Sequence, residues 1–255
     1  MGKRTGYEPG VFCWVDLMTP DIAAGAAFYE SVLGWKVYDD GGYHLFSLPG
    51  GDVAGGFQLD AAVGIPPHWN THISVESVDD ITARAVELGA TVVQEPVDAH
   101  SAGRLAGLTD PTGAGFTIWQ PRDRFGAELV NEPDCWCWND LMTRDPDVAT
   151  AFYARLFGWT YEDPDGDNEY RVIRHHDRQM GGVMQMPAEI PEQVPSSWEP
   201  YFNVVNLEDA LDAVRASGGI TPTGVMEVPD VGPFAIGHDP QGASFILIQA
   251  KEWDD

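Results

Sequence analysis

The heptapeptide CWVDLMT (13–19) returns almost unchanged as CWNDLMT (137–143), 124 positions further along the chain. The likeness continues into AAFYESVLGW (26–35) and TAFYARLFGW (150–159), which keep the same separation. Self-similarity over this length is the signature of a duplicated structural unit rather than of a short motif. The sequence therefore predicts two halves that share one fold.

The separation between matching positions grows in the second part of each half. Trp69 matches Trp198, and LTDPTGAGFTIWQ (108–120) matches GHDPQGASFILIQ (237–249), both 129 positions apart. The second copy must therefore contain five additional residues. They must lie between Trp159 and Trp198, where the polar stretch EDPDGDNEYRVIRHHDRQ (162–179) predicts a lengthened hairpin or loop.

Each half contains the pattern of strand, helix and further strands twice. In the first half, alternation in FCWVDLM (12–18) predicts a strand, Asp21 can cap the helix that follows, and Gly34 ends that helix. A second unit follows with the strand THISV (71–75), the helix VDDITARAVELG (78–89) and two closing strands. The prediction is an α+β protein of four βαβββ modules.

The proposed domain limits follow from the repeats and from a linker. PRDRFGAELVNEP (121–133) has a proline near each end and mixed charge, which is typical of a connection between domains. We place the first domain at 10–120, the linker at 121–133 and the second domain at 134–250. The three cysteines form neither a CxxC pair nor an even framework, so we expect no disulfide and no zinc site from them.

Composition restricts the classes of partner. The chain has 255 residues with 14 basic and 40 acidic side chains, for a formal charge of -26. Such a charge repels phosphate backbones, so nucleic acid is not an expected partner. There is no run of 18 apolar residues and no signal-like segment, which predicts a cytoplasmic protein without a membrane partner. The expected partner is a small-molecule ligand or substrate, and the protein is expected to be a monomer or a homodimer.

Three motifs carry a family resemblance. FYESVLGW (28–35), VELGA (86–90) and DPTGAGFTIWQP (110–121) resemble the vicinal oxygen chelate superfamily, which includes glyoxalase I, extradiol dioxygenases and bleomycin-resistance proteins. Over residues 10–250 the chain is similar to a two-domain actinobacterial group described as glyoxalase-like antigens or hydroxylases. The resemblance implies sheets that curl into ligand-holding cups with the helices outside. It leaves open whether modules pair within a half or across the two halves. It implies no particular reaction, since fold and function are separable.

The resemblance also implies where a metal would be bound. In metal-using members, the first strand and the last strand of each module supply one ligand each, usually His or Glu. The positions that correspond here are occupied by Trp14, Asn70, Thr117, Trp138, Glu199 and Ile246. The stretches predicted as the last strands of the first modules, VAGGFQL (53–59) and MGGVMQM (180–186), contain no acidic residue or histidine. At most one usual ligand remains per domain, so we predict no metal, no cofactor and no glyoxalase I chemistry.

Strand parity predicts which side chains face each cup. The expected ligand-binding residues are Trp14, Met18, Asn70, Thr117, Trp119, Trp138, Met142, Glu199 and Asn203. The candidate catalytic residues are Asp16, His72, Asp140 and Tyr201. If modules pair within halves, Asp16 meets His72 and Asp140 meets Tyr201. Cys137 is expected to pack outward under the helix.

The leading functional prediction is binding of a flat or cationic organic molecule in a metal-free, aromatic and acidic cup, similar to the bleomycin-resistance branch. The alternative is a metal-independent lyase, isomerase or secondary-metabolite tailoring enzyme that uses Asp16 and His72 as acid and base. A third interpretation leaves one cup purely structural. An inward aspartate can also be a structural hydrogen-bond acceptor, so the sequence leaves open whether the protein is an enzyme.

Overall fold

The computed structural model describes residues 2–60, 62, 64–163, 166 and 169–251, and within them the chain forms sixteen strands and four helices. The first half contains β1 (Phe12–Thr19), α1 (Ile22–Leu33), β2 (Lys36–Asp40), β3 (Tyr43–Leu48), β4 (Gly51–Gln58), β5 (His68–Ser74), α2 (Val78–Glu87), β6 (Thr91–Ala99), β7 (Gly103–Thr109) and β8 (Gly115–Pro121). The second half contains β9 (Trp136–Thr143), α3 (Pro146–Phe157), β10 (Thr160–Glu162), β11 (Tyr170–His175), β12 (Arg178–Gln185), β13 (Ser197–Asn203), α4 (Leu207–Ala216), β14 (Met226–Val228), β15 (Gly232–His238) and β16 (Ser244–Ile248). The predicted βαβββ order is present four times.

Each half builds its own curled sheet. The strand order is β2-β3-β4-β1-β5-β8-β7-β6 in the first sheet and β10-β11-β12-β9-β13-β16-β15-β14 in the second. The two modules of a half meet where β1 runs antiparallel to β5, and β9 to β13. Modules therefore pair within halves, and the alternative of pairing across halves is wrong.

Both first helices begin and end as their sequences predict. The side chain of Asp21 accepts the N–H of Ala24 at the start of α1, and Asp145 accepts that of Val148 at the start of α3. Gly34 ends α1 with φ 70°, a left-handed conformation that only glycine adopts without strain. These caps determine where each helix begins and ends after the first strand of its half.

A single aromatic core joins the two halves. The Trp69 indole N–H donates to the hydroxyl of Tyr29 at 2.8 Å, and at the related position Trp198 donates to Tyr153 at 3.0 Å. Phe12 of the first half packs on Trp198 of the second with ring centroids 5.1 Å apart. Buried residues of both halves thus belong to one continuous cluster.

The five additional residues of the second half are divided between two connections. Strand pairing places Gly55 opposite Asp16 and Gly182 opposite Asp140, and these glycines are 127 positions apart. Three additional residues therefore precede β12 and two follow it, between β12 and β13. All five lie between Trp159 and Trp198, as predicted, but the last two follow the polar stretch 162–179 rather than belonging to one lengthened hairpin. Positions 164, 165, 167 and 168 of that stretch lie outside the described residues.

The segment after β8 lies against the first domain. The N–H of Ala127 donates to the carbonyl of Cys13 at 2.8 Å, and the N–H of Glu128 donates to that of Asp52 at 2.8 Å. The guanidinium of Arg124 contacts the carboxylates of Asp40 and Asp52 at 3.0 and 2.9 Å. None of the helices in the described ranges combines the length and the apolar character required to cross a membrane.

Candidate functional site

Asp16 is the centre of a buried polar network in the first cup. Its carboxylate Oδ1 lies 3.1 Å from Nε2 of His72 and also accepts a hydrogen bond from Nδ2 of Asn70 at 3.1 Å. Its Oδ2 accepts the hydroxyl of Tyr43 at 3.0 Å. Asp16 and His72 are each only 5% exposed. A carboxylate at this depth is retained because three neighbours satisfy it.

Strand register explains why these side chains meet. Asp16 lies opposite Asn70 in the antiparallel β1–β5 pair, so both side chains project from the same face. His72 is aligned with Thr117 across the parallel β5–β8 pair, and Nδ2 of Asn70 donates to Oγ1 of Thr117 at 2.9 Å. The predicted contact between Asp16 and His72 is therefore present, and Asn70 and Thr117 belong to the same network.

His72 has one imidazole nitrogen engaged and one without a partner. Because Nε2 faces a carboxylate, it carries the hydrogen and donates it to Asp16. Nδ1 is buried and has no hydrogen-bond partner among the described residues. The ring of Trp119 stands edge-on to the imidazole, with centroids 6.5 Å apart. An unpaired nitrogen in a buried ring costs free energy of about 1–3 kcal/mol unless another molecule satisfies it.

The charge state of Asp16 follows from these contacts. Burial raises the pKa of its carboxyl, but the charge of His72 and the hydrogen bonds from His72, Asn70 and Tyr43 outweigh burial, and the net pKa is lowered. Asp16 is therefore ionised at neutral pH. An ionised carboxylate accepts the hydrogen of Nε2 and so fixes the orientation of the imidazole.

The second cup places a different set of donors around Asp140. Oδ1 accepts the indole N–H of Trp138 and the hydroxyl of Tyr170, both at 2.9 Å, and Oδ2 accepts the hydroxyl of Tyr201 at 2.6 Å. The predicted contact between Asp140 and Tyr201 is present. No basic side chain in the described part of the chain pairs with Asp140. Burial is the main cause that raises the pKa of Asp140, and the three hydrogen bonds offset it only in part.

The wall of the second cup around Tyr201 is apolar. Tyr201 packs with Ile246 and Ile248, both nearly fully buried, and with partly buried neighbours that include Trp138 and Cys137. The prediction that Cys137 packs outward under the helix is wrong. The β9–β13 register shifts between Trp136 and Trp138, so Cys137 lies in a β-bulge and strand parity fails there.

The other predicted binding residues lie nearer the ends of the strands. Met18 and Met142 are partly exposed and pair with the first residues of β5 and β13. The side-chain oxygen of Asn203 accepts the N–H of Ala250 at 3.2 Å, so this side chain ties down the segment that follows β16. Glu199 lies opposite Asp140 and accepts the hydroxyl of Ser197 at 2.7 Å.

The sequence analysis missed Tyr43 and Tyr170. Tyr43 links two predicted residues, because it accepts the indole N–H of Trp14 at 2.7 Å while it donates to Asp16. Tyr170 stands in the same relation to Trp138 and Asp140. Both tyrosines are the first residue of a third strand in their module, and this shared position was the signal available. The 127-residue separation, which matches neither repeat spacing, concealed it.

The residues at the metal positions of the fold do not fit a metal ion. Trp14 and Thr117 are engaged in hydrogen bonds within the network, and Ile246 offers no donor. A Cβ added at Gly55, on the last strand of the first module, would meet the Tyr43 hydroxyl at 2.1 Å, so no ligating side chain has room there. Within the described ranges no group of three His, Cys, Asp or Glu side chains could hold a metal.

The tandem βαβββ modules and their curled sheets are those of a glyoxalase-like protein, and a family model matches both halves. The model of the Glyoxalase-like domain matches residues 13–119 and again 136–248, so the chain belongs to this family. It is 38% identical over 261 residues to "Putative glyoxylase CFP32" of Mycobacterium bovis, with 98% of both chains covered. It is 29% identical over 267 residues to "Anthracycline biosynthesis protein DauV" of a Streptomyces species, covering 97% of this chain and 96% of the relative.

A solved structure supports the same architecture. The Mn(II)-bound glyoxalase from Novosphingobium aromaticivorans superposes with a TM-score of 0.66 and 16% identity, covering 100% of this chain and 85% of its own. Identity at this level speaks for the fold alone. The predicted superfamily and the tandem α+β architecture are confirmed.

Proposed function

We propose that the first cup binds a small, planar organic molecule without a metal ion, and that His72 is its polar anchor. The observation that carries the proposal is the buried imidazole whose Nε2 is held by Asp16 and whose Nδ1 has no partner. With Nε2 protonated, Nδ1 of the neutral ring is a hydrogen-bond acceptor. A ligand hydroxyl is the complementary group.

Aromatic surface beside this anchor supports a planar ligand. Trp14 and Trp119 flank the network, and their indole N–H groups are already used by Tyr43 and by the carbonyl of Arg124. Hydrogen bonds within the protein therefore already satisfy both N–H groups, and flat aromatic molecules stack on the faces of such rings. A relative named for anthracycline biosynthesis agrees with a polycyclic, hydroxylated ligand.

Quinizarin, a planar dihydroxyanthraquinone, tests the proposal. We expect it to quench indole fluorescence and to shift the ¹⁵N resonance of His72 Nδ1 in protein labelled at histidine. His72→Gln should abolish the shift and weaken binding, whereas His238→Gln, which changes a histidine far from the cup, should change neither. Binding that leaves the His72 resonance unmoved would refute the anchor.

A second candidate is proton transfer in the same cup. It is favoured by the Asp16–His72 geometry, since an ionised carboxylate that holds one imidazole nitrogen leaves the other free to accept a proton from a substrate. The lyase or isomerase that this implies uses His72 as base and Asp16 as the residue that orients it. Product formation from the bound molecule, lost in His72→Gln, distinguishes this candidate from binding alone.

A further inference from the structure

A cleft of about 370 Å³ lies between the two domains, outside the region in which the proposed ligand would stack. Its walls come from both halves, chiefly from the starts of β5 and β13 and from the turns that precede β8 and β16. Proline and isoleucine side chains form an apolar rim. A cleft of this volume matches the lower range of small-molecule sites.

The lining of this cleft includes an acidic side chain but no lysine or arginine. Glu199 and His68 are the titratable residues among its lining, and no lysine or arginine contributes to it. The carboxylate of Glu199 is partly buried and accepts hydrogen bonds from Ser197 and Ser244. None of the described residues forms an ion pair with Glu199. Two hydroxyls leave a carboxylate with capacity for a cationic donor.

The surroundings of Glu199 increase the negative potential. Asp140 lies directly opposite on β9, and its own carboxylate is already engaged by two tyrosines and a tryptophan. The formal charge of -26 attracts cations towards any acidic cleft. A divalent metal is a poor occupant, because hard ions require about six oxygen ligands and the cleft offers one free carboxylate.

We propose that the interdomain cleft binds the protonated amine of a small organic molecule, with Glu199 as its counter-ion. The apolar rim takes the hydrocarbon part of the ligand, and the two serines hold the carboxylate in place. The proposal goes beyond the function suggested for the first cup and does not depend on it, although Asn70 touches both regions.

Benzylamine and its neutral counterpart benzyl alcohol test the charge requirement by titration calorimetry. We expect benzylamine to bind at least tenfold more tightly, and Glu199→Gln to remove that preference. Glu192→Gln removes the same charge from an exposed position in the connection before β13, and this variant should keep the preference for benzylamine. Thermal melting establishes that each variant is folded.

Gly115→Leu tests the location. A Cβ at Gly115 meets no atom within 4 Å and the backbone there tolerates a side chain, so leucine should fill the cleft while Glu199 stays in place. Both probes should then bind at least tenfold more weakly. The proposal is overturned if the parent protein shows no preference for the amine, if Glu199→Gln and Glu192→Gln have equal effects, or if Gly115→Leu binds both probes unchanged.

Discussion

Each cup has an aspartate and a tryptophan at related positions, but the residue that contacts the aspartate from the neighbouring strand differs. His72 in the first cup is replaced by Tyr201 in the second, and the pKa of the aspartate moves in opposite directions, down for Asp16 and up for Asp140. A phenol can donate a hydrogen bond to a carboxylate but cannot supply a positive charge. The exchange of His72 for Tyr201 therefore separates an aspartate–histidine pair with a free ring nitrogen from a cluster in which the aspartate only accepts hydrogen bonds.

The largest expected difference concerns Asp16→Asn. Loss of the charge that orients His72 should weaken quinizarin binding by about 10–100-fold, and should lower turnover by about 10²–10⁴-fold if the first cup is catalytic. Asp140→Asn is the matched control and should alter neither quantity. Equal losses in both variants, measured by fluorescence titration and by product assay, would remove the distinction between the cups.

His72→Leu should lower the free energy of unfolding by about 3–5 kcal/mol at neutral pH, because it leaves the buried carboxylate of Asp16 without its partner on β5. Tyr201→Phe removes one of three donors to Asp140 and should cost only about 1–2 kcal/mol. Urea denaturation at pH 7 compares the two. Similar losses would mean that His72 stabilises Asp16 no more than a single phenol stabilises Asp140.

Trp14→Leu should weaken quinizarin binding about threefold to tenfold and reduce the quenching of indole fluorescence, since leucine keeps bulk but removes the stacking face. Trp138→Leu should leave affinity unchanged, because the apolar cluster around Tyr201 fills the second cup. A stronger effect from Trp138 would move the ligand to the second cup.

The two aspartates should give opposite pH dependences of stability. The lowered pKa of Asp16 adds stability that is present above the ordinary carboxyl pKa and is lost as pH falls through the folded-state value. The raised pKa of Asp140 adds stability that is present below the ordinary value and is lost as pH rises through the folded-state value. The free energy of unfolding is measured from pH 3 to 7 for the parent and for each variant. The difference between the parent and Asp16→Asn should increase with pH, and the difference between the parent and Asp140→Asn should decrease. Slopes of the same sign would contradict this assignment.

Metal removal should have the smallest effect. The hydrogen-bonded and apolar residues at the metal positions predict no stoichiometric divalent ion in elemental analysis, and dialysis against a chelator should leave quinizarin affinity and melting temperature unchanged. A tightly held zinc, nickel, iron or manganese whose loss abolishes binding would overturn the metal-free proposal for both cups.

Local sequence patterns were sufficient for the architecture. The repeat of CWVDLMT, the two-residue alternation in β1 and the helix caps at Asp21 and Gly34 act over a few residues, so they predicted four βαβββ modules. Parity also placed Asp16 and His72 on the cup face, since alternation along a strand is a local property. Where a bulge interrupts alternation, at Cys137, the same rule failed.

Relations between distant segments required the tertiary structure. Pairing of modules within halves depends on hydrogen bonds between β1 and β5, and the patterns of either strand are equally compatible with another partner. Tyr43 and Tyr170 became visible only when β3 and β11 were placed beside β4 and β12. The lowered pKa of Asp16 arises from side chains 27 to 56 positions away that folding brings within hydrogen-bond distance, whereas the raised pKa of Asp140 arises mainly from its burial in the folded chain. A residue's charge depends on its neighbours in space, and a sequence specifies these only through the fold.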